Sequence, residues 1–247
     1  MRGRALVAAR AFIAVLLAPA VCAQAAAQLD AVEAFDREAV QPARRAIMAR
    51  DVAAARQMVP VVQRAFDDLL PVLKTAQATT VQRLARDYVT LGLHGEAARL
   101  LEASAAGLQA RGAGTGASLA LVYADLARAQ RLGGRLTEAA QAITRAQALR
   151  APSPSDPDTY PIQSELAELH RARGDLAAAE NVLRAVVDVA DRRADWVNVP
   201  YLIGIYGAYA GVLRARGDAK GAQTYEARSR AIERNVTAIE EQLQRFR

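Results

Sequence analysis

LAELHRARGDLAAAENVLRAVV, residues 166–187, decides the fold. Leu166, Leu169 and Leu176, then Ala179, Val182, Leu183 and Val186, follow helical spacing, as an apolar stripe on a helix does. Gly174 interrupts the stretch. Glycine ends a helix because it takes the left-handed conformation without a side-chain clash. Asp175 behind it can cap the next helix. The stretch therefore predicts two helices joined by a tight turn. The chain shows no strand-like alternation of any length.

The same pattern recurs outward in both directions. Ala55, Ala97, Ala139, Ala179 and Ala222 are separated by 42, 42, 40 and 43 residues. Another alanine precedes each by 12 residues: Ala43, Ala85, Ala127, Ala167 and Ala210. A period of this length marks stacked copies of one supersecondary unit. With the second alanine as position 20, position 15 holds Gly92, Gly134, Gly174 and Gly217, and Arg50 in the first unit. Position 24 holds Val59, Leu101, Ile143 and Leu183, and Glu226 in the last. Position 7 holds Leu84, Leu126, Leu166 and Tyr209, and Pro42 in the first. Small residues at positions 8 and 20 let two antiparallel helices approach closely, and the large ones at 7 and 24 fill the seams. Pro42 and Pro60 fall inside the helices of the first unit and are expected to kink or split them. Gly-, Pro- and Ser-rich connectors at 111–118 and 151–161, and the segment 190–200, fall between units, where loops belong.

LARDYVTLGLHGEAARLLEASAAGL (84–108), LARAQRLGGRLTEAAQAITRAQAL (126–149), the opening stretch and YAGVLRARGDAKGAQTYEARSRAI (209–232) resemble tetratricopeptide repeats (TPRs). The ordinary repeat is about 34 residues long. Intervals near 42 residues are similar to the longer variant seen in kinesin light chains. The resemblance covers nearly all of residues 24–247. It implies an all-α, right-handed α-solenoid of five helix pairs with a C-terminal capping helix, repeats starting near 36, 78, 120, 160 and 203. It also implies a concave groove lined by the first helix of each pair, at positions 2, 5, 9, 12 and 13.

Arginines recur at those groove positions. Position 9 is Arg44, Arg86, Arg128, Glu168 and Gly211, and position 12 adds Arg131, Arg171 and Arg214. Arginine grips carboxylates in a bidentate fork, so the expected partner is a protein or an acidic peptide segment. The competing expectation is that these arginines are solvated or pair with neighbours such as Asp125 and Glu168. The first helix of the last unit carries Gly204, Gly207 and Gly211 among Tyr201, Tyr206 and Tyr209. Glycine on one face weakens a helix. It suits either a ligand lying close to that face or tight packing on the preceding repeat. Trp196, in the loop before it, needs cover for its large apolar ring.

Ile232, Val236, Ile239, Leu243 and Phe246 continue past the last repeat at steps of four and three. That stripe fits a cap on the open end of a solenoid, or a short homodimer seam.

Catalysis is not expected. The only cysteine is Cys22, and the two histidines, His94 and His170, lie about two repeats apart. They cannot share a metal site within a chain. His170 at position 11 is expected in the interhelix seam, buried and hydrogen-bonded, and His94 in an exposed turn. No phosphate loop or serine-elbow motif occurs. Neither a cofactor nor a metal is implied.

Arg2, Arg4 and Arg10 precede the apolar run AFIAVLLAPA (11–20), and small residues follow at cleavage-site spacing near Ala23 and Ala25. This is the layout of a secretory signal peptide over residues 1–23, and the run is shorter than the roughly 20 residues a membrane span needs. Val21 before Cys22 does not suit lipoprotein attachment. Removing 1–23 takes the formal charge from +6 to +3, and the remainder has no cysteine. Of the 32 basic residues only Lys74 and Lys220 are lysines, which points to genome composition rather than nucleic-acid binding. The expectation is a periplasmic or secreted protein without stable membrane insertion. Its expected function is that of a peptide-binding scaffold, such as an envelope assembly adaptor. The alternative is a structural subunit docked through its outer helices and C-terminal helix.

Overall fold

A computed structural model describes residues 30–69, 75–110, 116–192 and 200–245. The expected signal peptide and Trp196 lie outside these residues. So does Phe246, and so do the side chains of Ile239 and Leu243. The chain divides into two compact units, one ending at Leu91 and one beginning at Gly92. Each is described by itself.

In the first unit, residues 30–35 are helical and run through a π-helical turn, Asp36–Val40, into α1 (Gln41–Met48). α2 (Val52–Leu69) and α3 (Thr75–Thr90) follow. The π turn has a local cause. Pro42 has no N–H for the carbonyl four residues back and its ring crowds that carbonyl, and a widened turn relieves the clash. Gln41 N–H accordingly donates to the Asp36 carbonyl, five residues back. Pro60 behaves differently from expectation: α2 runs through it unsplit, with Pro60 on the exposed side. Ala43, Ala55 and Ala85 are fully buried, and the Tyr88 hydroxyl donates to the Ala55 carbonyl at 2.8 Å. Phe35 and Phe66 close the core with ring centroids 6.4 Å apart.

The second unit contains α4 (His94–Ala110), α5 (Gly116–Leu132), α6 (Leu136–Leu149), α7 (Tyr160–Ala172), α8 (Leu176–Ala190), α9 (Leu202–Ala215) and α10 (Ala219–Arg245). α5 packs on α6, α7 on α8 and α9 on α10. The first helices also touch in succession, α5 on α7 and α7 on α9. This is the helix-pair stacking of a small α-solenoid. Ala97, Ala127, Ala139, Ala167, Ala179, Ala210 and Ala222 are all buried at the helix–helix contacts. The expected cap is not a separate element. It is the far half of α10, whose 27 residues outrun the 14 of α9, with Ile232 and Val236 packed into the core of the last two pairs.

The turns follow the glycine rule. Gly92, Gly134, Gly174 and Gly217 have φ of 77°, 79°, 83° and 87°. After three of them the next residue's N–H reaches back to close the turn: Arg135 to Gln130, Asp175 to His170, Asp218 to Leu213. Asp175 and Asp218 then cap the following helices through Ala178 N–H at 3.0 Å and Gly221 N–H at 2.8 Å. Arg50 occupies the same turn in the first unit with φ 54° and the same bond, Asp51 N–H to Ala46 at 3.0 Å. A side chain in the left-handed region costs about 1 kcal/mol. Arg50→Gly is therefore expected to raise stability by up to about 1 kcal/mol in urea unfolding.

The connector before α7 is ordered by its own polar groups. Arg150 bonds Asp156 at 2.7 Å and Asp158 at 3.1 Å, and Thr159, Tyr160 and Gln163 bond the carbonyls of Ser153 and Pro154.

Candidate functional site

The groove positions fall on α1 and α3 in the first unit and on α5, α7 and α9 in the second. In the first unit Arg44 and Arg86 both lie near Asp87, with Arg83. Burial pushes the Asp87 carboxyl up, and the three arginines oppose that shift.

In the second unit the expected arginine column is largely occupied from within. Arg131 Nε donates to Glu165 Oε1 at 2.5 Å and its Nη2 to Oε2 at 3.1 Å. This fork joins consecutive repeats almost out of water, the two side chains being 11% and 7% exposed. Burial, helped by the like charge of Glu168, pushes the Glu165 carboxyl above the ordinary glutamate range, against the hydrogen bonds and charge of Arg131 and the charge of Arg128. Glu168 stands 3.6 Å from Arg131 Nη1 and also takes Arg171, through Nε at 3.2 Å and Nη2 at 2.6 Å. Arg214 pairs with Glu226 of α10, the second helix of its own pair. Arg128 is exposed on α5. The structure thus assembles Arg131 and Arg171 around Glu168 and Glu165. It draws Arg214 to another helix.

Glu165 was not legible as part of this network. Its repeat position, 6, holds Gln41, Arg83, Asp125, Glu165 and Ala208, which share no chemistry. The usable signal was local: Glu165, Glu168 and Arg171 step by three along one helix, the spacing at which side chains meet.

Both histidines depart from expectation. His170 is half-exposed, not buried, with Nδ1 3.9 Å from Asp175 Oδ2 in the turn. Position 11 in this repeat lies near the helix end, where the seam opens. His94 is the first residue of α4 and is half-buried, its Cβ 3.5 Å from where a side chain on Gly133 would begin. Among the described residues no group of three or more His, Cys, Asp or Glu is placed to hold a metal ion. No described helix is long and apolar enough to cross a membrane.

The glycine face of α9 lies beside α7. A Cβ on Gly204 would stand 3.6 Å from Ser164 Oγ, and one on Gly211 would stand 4.0 Å from Arg171 Nε and Glu168 Oε1. Both are ordinary van der Waals distances. A Cβ on Gly207 would meet nothing within 4 Å. Alanine would fit at all three, so packing on the preceding repeat does not account for them. Behind that face, Tyr206 and Tyr209 are buried against Tyr225 of α10, with centroids 5.6 and 4.8 Å from it. Arg228 lies 5.0 Å over the Tyr225 ring and pairs with Asp191.

No protein-family model matches the chain, and no curated protein matches it. Solved structures do. The chain is similar to a singly substituted form of the Podosopora anserina kinesin light chain nearly identical TPR-like repeats, at 23% identity over 82% of this chain and 96% of that one, with a TM-score of 0.56. It is similar to the form without that substitution at 24% identity, over 81% and 96%, with a TM-score of 0.53. BtubC (BKLC) from P. vanneervenii aligns at 15% identity over 85% and 92%, with a TM-score of 0.50. At these identities the likeness is one of fold: TPR-like helix-pair repeats related to those of kinesin light chains.

Proposed function

We propose that this chain is an exported, non-enzymatic scaffold that binds a protein or peptide segment along the exposed face of its first helices. Arginines on that face, Arg128 foremost, meet acidic groups of the segment. The α9 glycines carry the reading. Each glycine in a helix interior costs about 0.5–1 kcal/mol relative to alanine, and no neighbouring side chain or backbone excludes a methyl group at Gly204, Gly207 or Gly211. A face kept bare at that cost suits close approach by another chain. Gly207→Ala is expected to raise stability by about 0.5–1 kcal/mol in urea unfolding. No gain would mean that Gly207 serves the fold.

The test of the arginine contacts is crosslinked capture from envelope extract with Arg86→Glu and Arg128→Glu, made separately and together. Loss of a partner that the wild type captures, with the fold intact, supports the reading. A partner retained by every variant removes the arginines from the interface. A second reading, docking as a structural subunit through the outer helices, is favoured by the length of α10. Truncation after Asn235 would then abolish capture or dimerisation while the arginine reversals leave it unchanged.

A further inference from the structure

We infer that Glu168 is a specificity-determining residue that screens the groove arginines against polyanionic segments. The inference rests on the groove reading above and adds a restriction on the ligand. Glu168 sits between two arginines of adjacent repeats, at 3.6 Å from Arg131 and 2.6 Å from Arg171. Its side chain is 18% exposed while that of Arg171 is 39% exposed, so the cation faces solvent and the anion backs it. Glu165 neutralises Arg131 from the other side. A carboxylate arriving at Arg171 meets a guanidinium whose Nε edge Glu168 already holds through Nε and Nη2, so it must displace that glutamate or share the cation with it. Exchanging one charge-assisted bond for another yields little net attraction. The local field is also reduced, because two carboxylates lie beside the three cations Arg128, Arg131 and Arg171. Gly211 on α9 leaves the flank of this pair without a side chain. The site therefore admits a segment that fits the bare face, and a run of acidic side chains gains nothing extra from Arg131 or Arg171.

Screening of this kind is removable. Glu168→Gln keeps the shape of the side chain and deletes its charge, which frees Arg171 and raises the local positive potential. The probe is fluorescently labelled decaglutamate, followed by anisotropy at low salt and again at about 0.5 M salt, where the Debye length is short. Expected is weak binding to the wild type and at least about tenfold tighter binding to Glu168→Gln, diminished at high salt as screening requires. Glu168→Gln combined with Arg171→Gln returns to the wild-type level. Circular dichroism and urea unfolding check that each variant is folded. Wild-type and Glu168→Gln affinities within about twofold of each other would overturn the inference, as would a gain that survives loss of Arg171. These outcomes do not depend on the natural partner. A failed screen leaves the capture result standing, and a failed capture leaves the decaglutamate result standing.

Discussion

Glu165→Ala is expected to destabilise the second unit by about 3–5 kcal/mol, as removal of one partner of a buried pair does. Arg131, only 11% exposed, would keep its charge and lose both bonds of the fork, with Glu168 at 3.6 Å too far to replace them. Arg131→Ala strands Glu165 in the same way. The double replacement Arg131→Met with Glu165→Leu is expected to recover most of the loss, because two apolar side chains of similar volume need no partner. Urea unfolding of the three variants measures this directly. Two single losses that simply add in the double variant would mean that the pair is not coupled. The pH dependence has a defined sign. Burial raises the Glu165 carboxyl above its unfolded value, so its contribution is fully present below the ordinary glutamate range. It is lost as the pH rises through the higher folded value. Glu165→Gln removes that part of the slope.

Leu183→Ala is the second large effect, expected to cost about 2–5 kcal/mol. Leu183 is fully buried in the core that joins the fourth and fifth pairs. Position 24 has one exception to its aliphatic pattern. Val59, Leu101, Ile143 and Leu183 are buried, whereas Glu226, at the same position of the fifth unit, is 31% exposed and pairs with Arg214. Glu226→Ala is accordingly expected to change stability by less than about 1 kcal/mol, the range for exposed pairs. Equal losses at the two positions in thermal or urea unfolding would contradict this assignment of the seam.

The contrast shows how far the repeat pattern could be read. Alanines at positions 8 and 20 and glycines at 15 are repeated because the same backbone contact and the same left-handed turn recur, and they lie where the spacing placed them. Arg50 obeys the geometry without the residue, since the Schellman-type bond from Asp51 holds the turn. Features that depend on one repeat alone were not legible. Pro60 is tolerated because its side of α2 faces water. His170 is half-exposed because the seam opens at its helix end. The arginines were visible in sequence, but the fate of Arg131 and Arg214 depended on Glu165 and Glu226, which come from other helices. The position of Glu165 has no shared residue type, and Glu226 breaks the aliphatic pattern of its own. The α9 glycines were visible as well. Only distances between neighbouring side chains could separate close internal packing from a face left bare.

That bare face is where the functional account stands or falls. The decisive measurement is crosslinked capture with Gly207→Leu beside the wild type, each checked for an unchanged fold. Position 207 is exposed and has room for a side chain, so the variant is expected to fold at least as stably as the wild type. A groove ligand predicts that the leucine abolishes capture of the partner that the wild type retains. Undiminished capture by Gly207→Leu would contradict binding at this face and move the interaction to the outer helices or to α10.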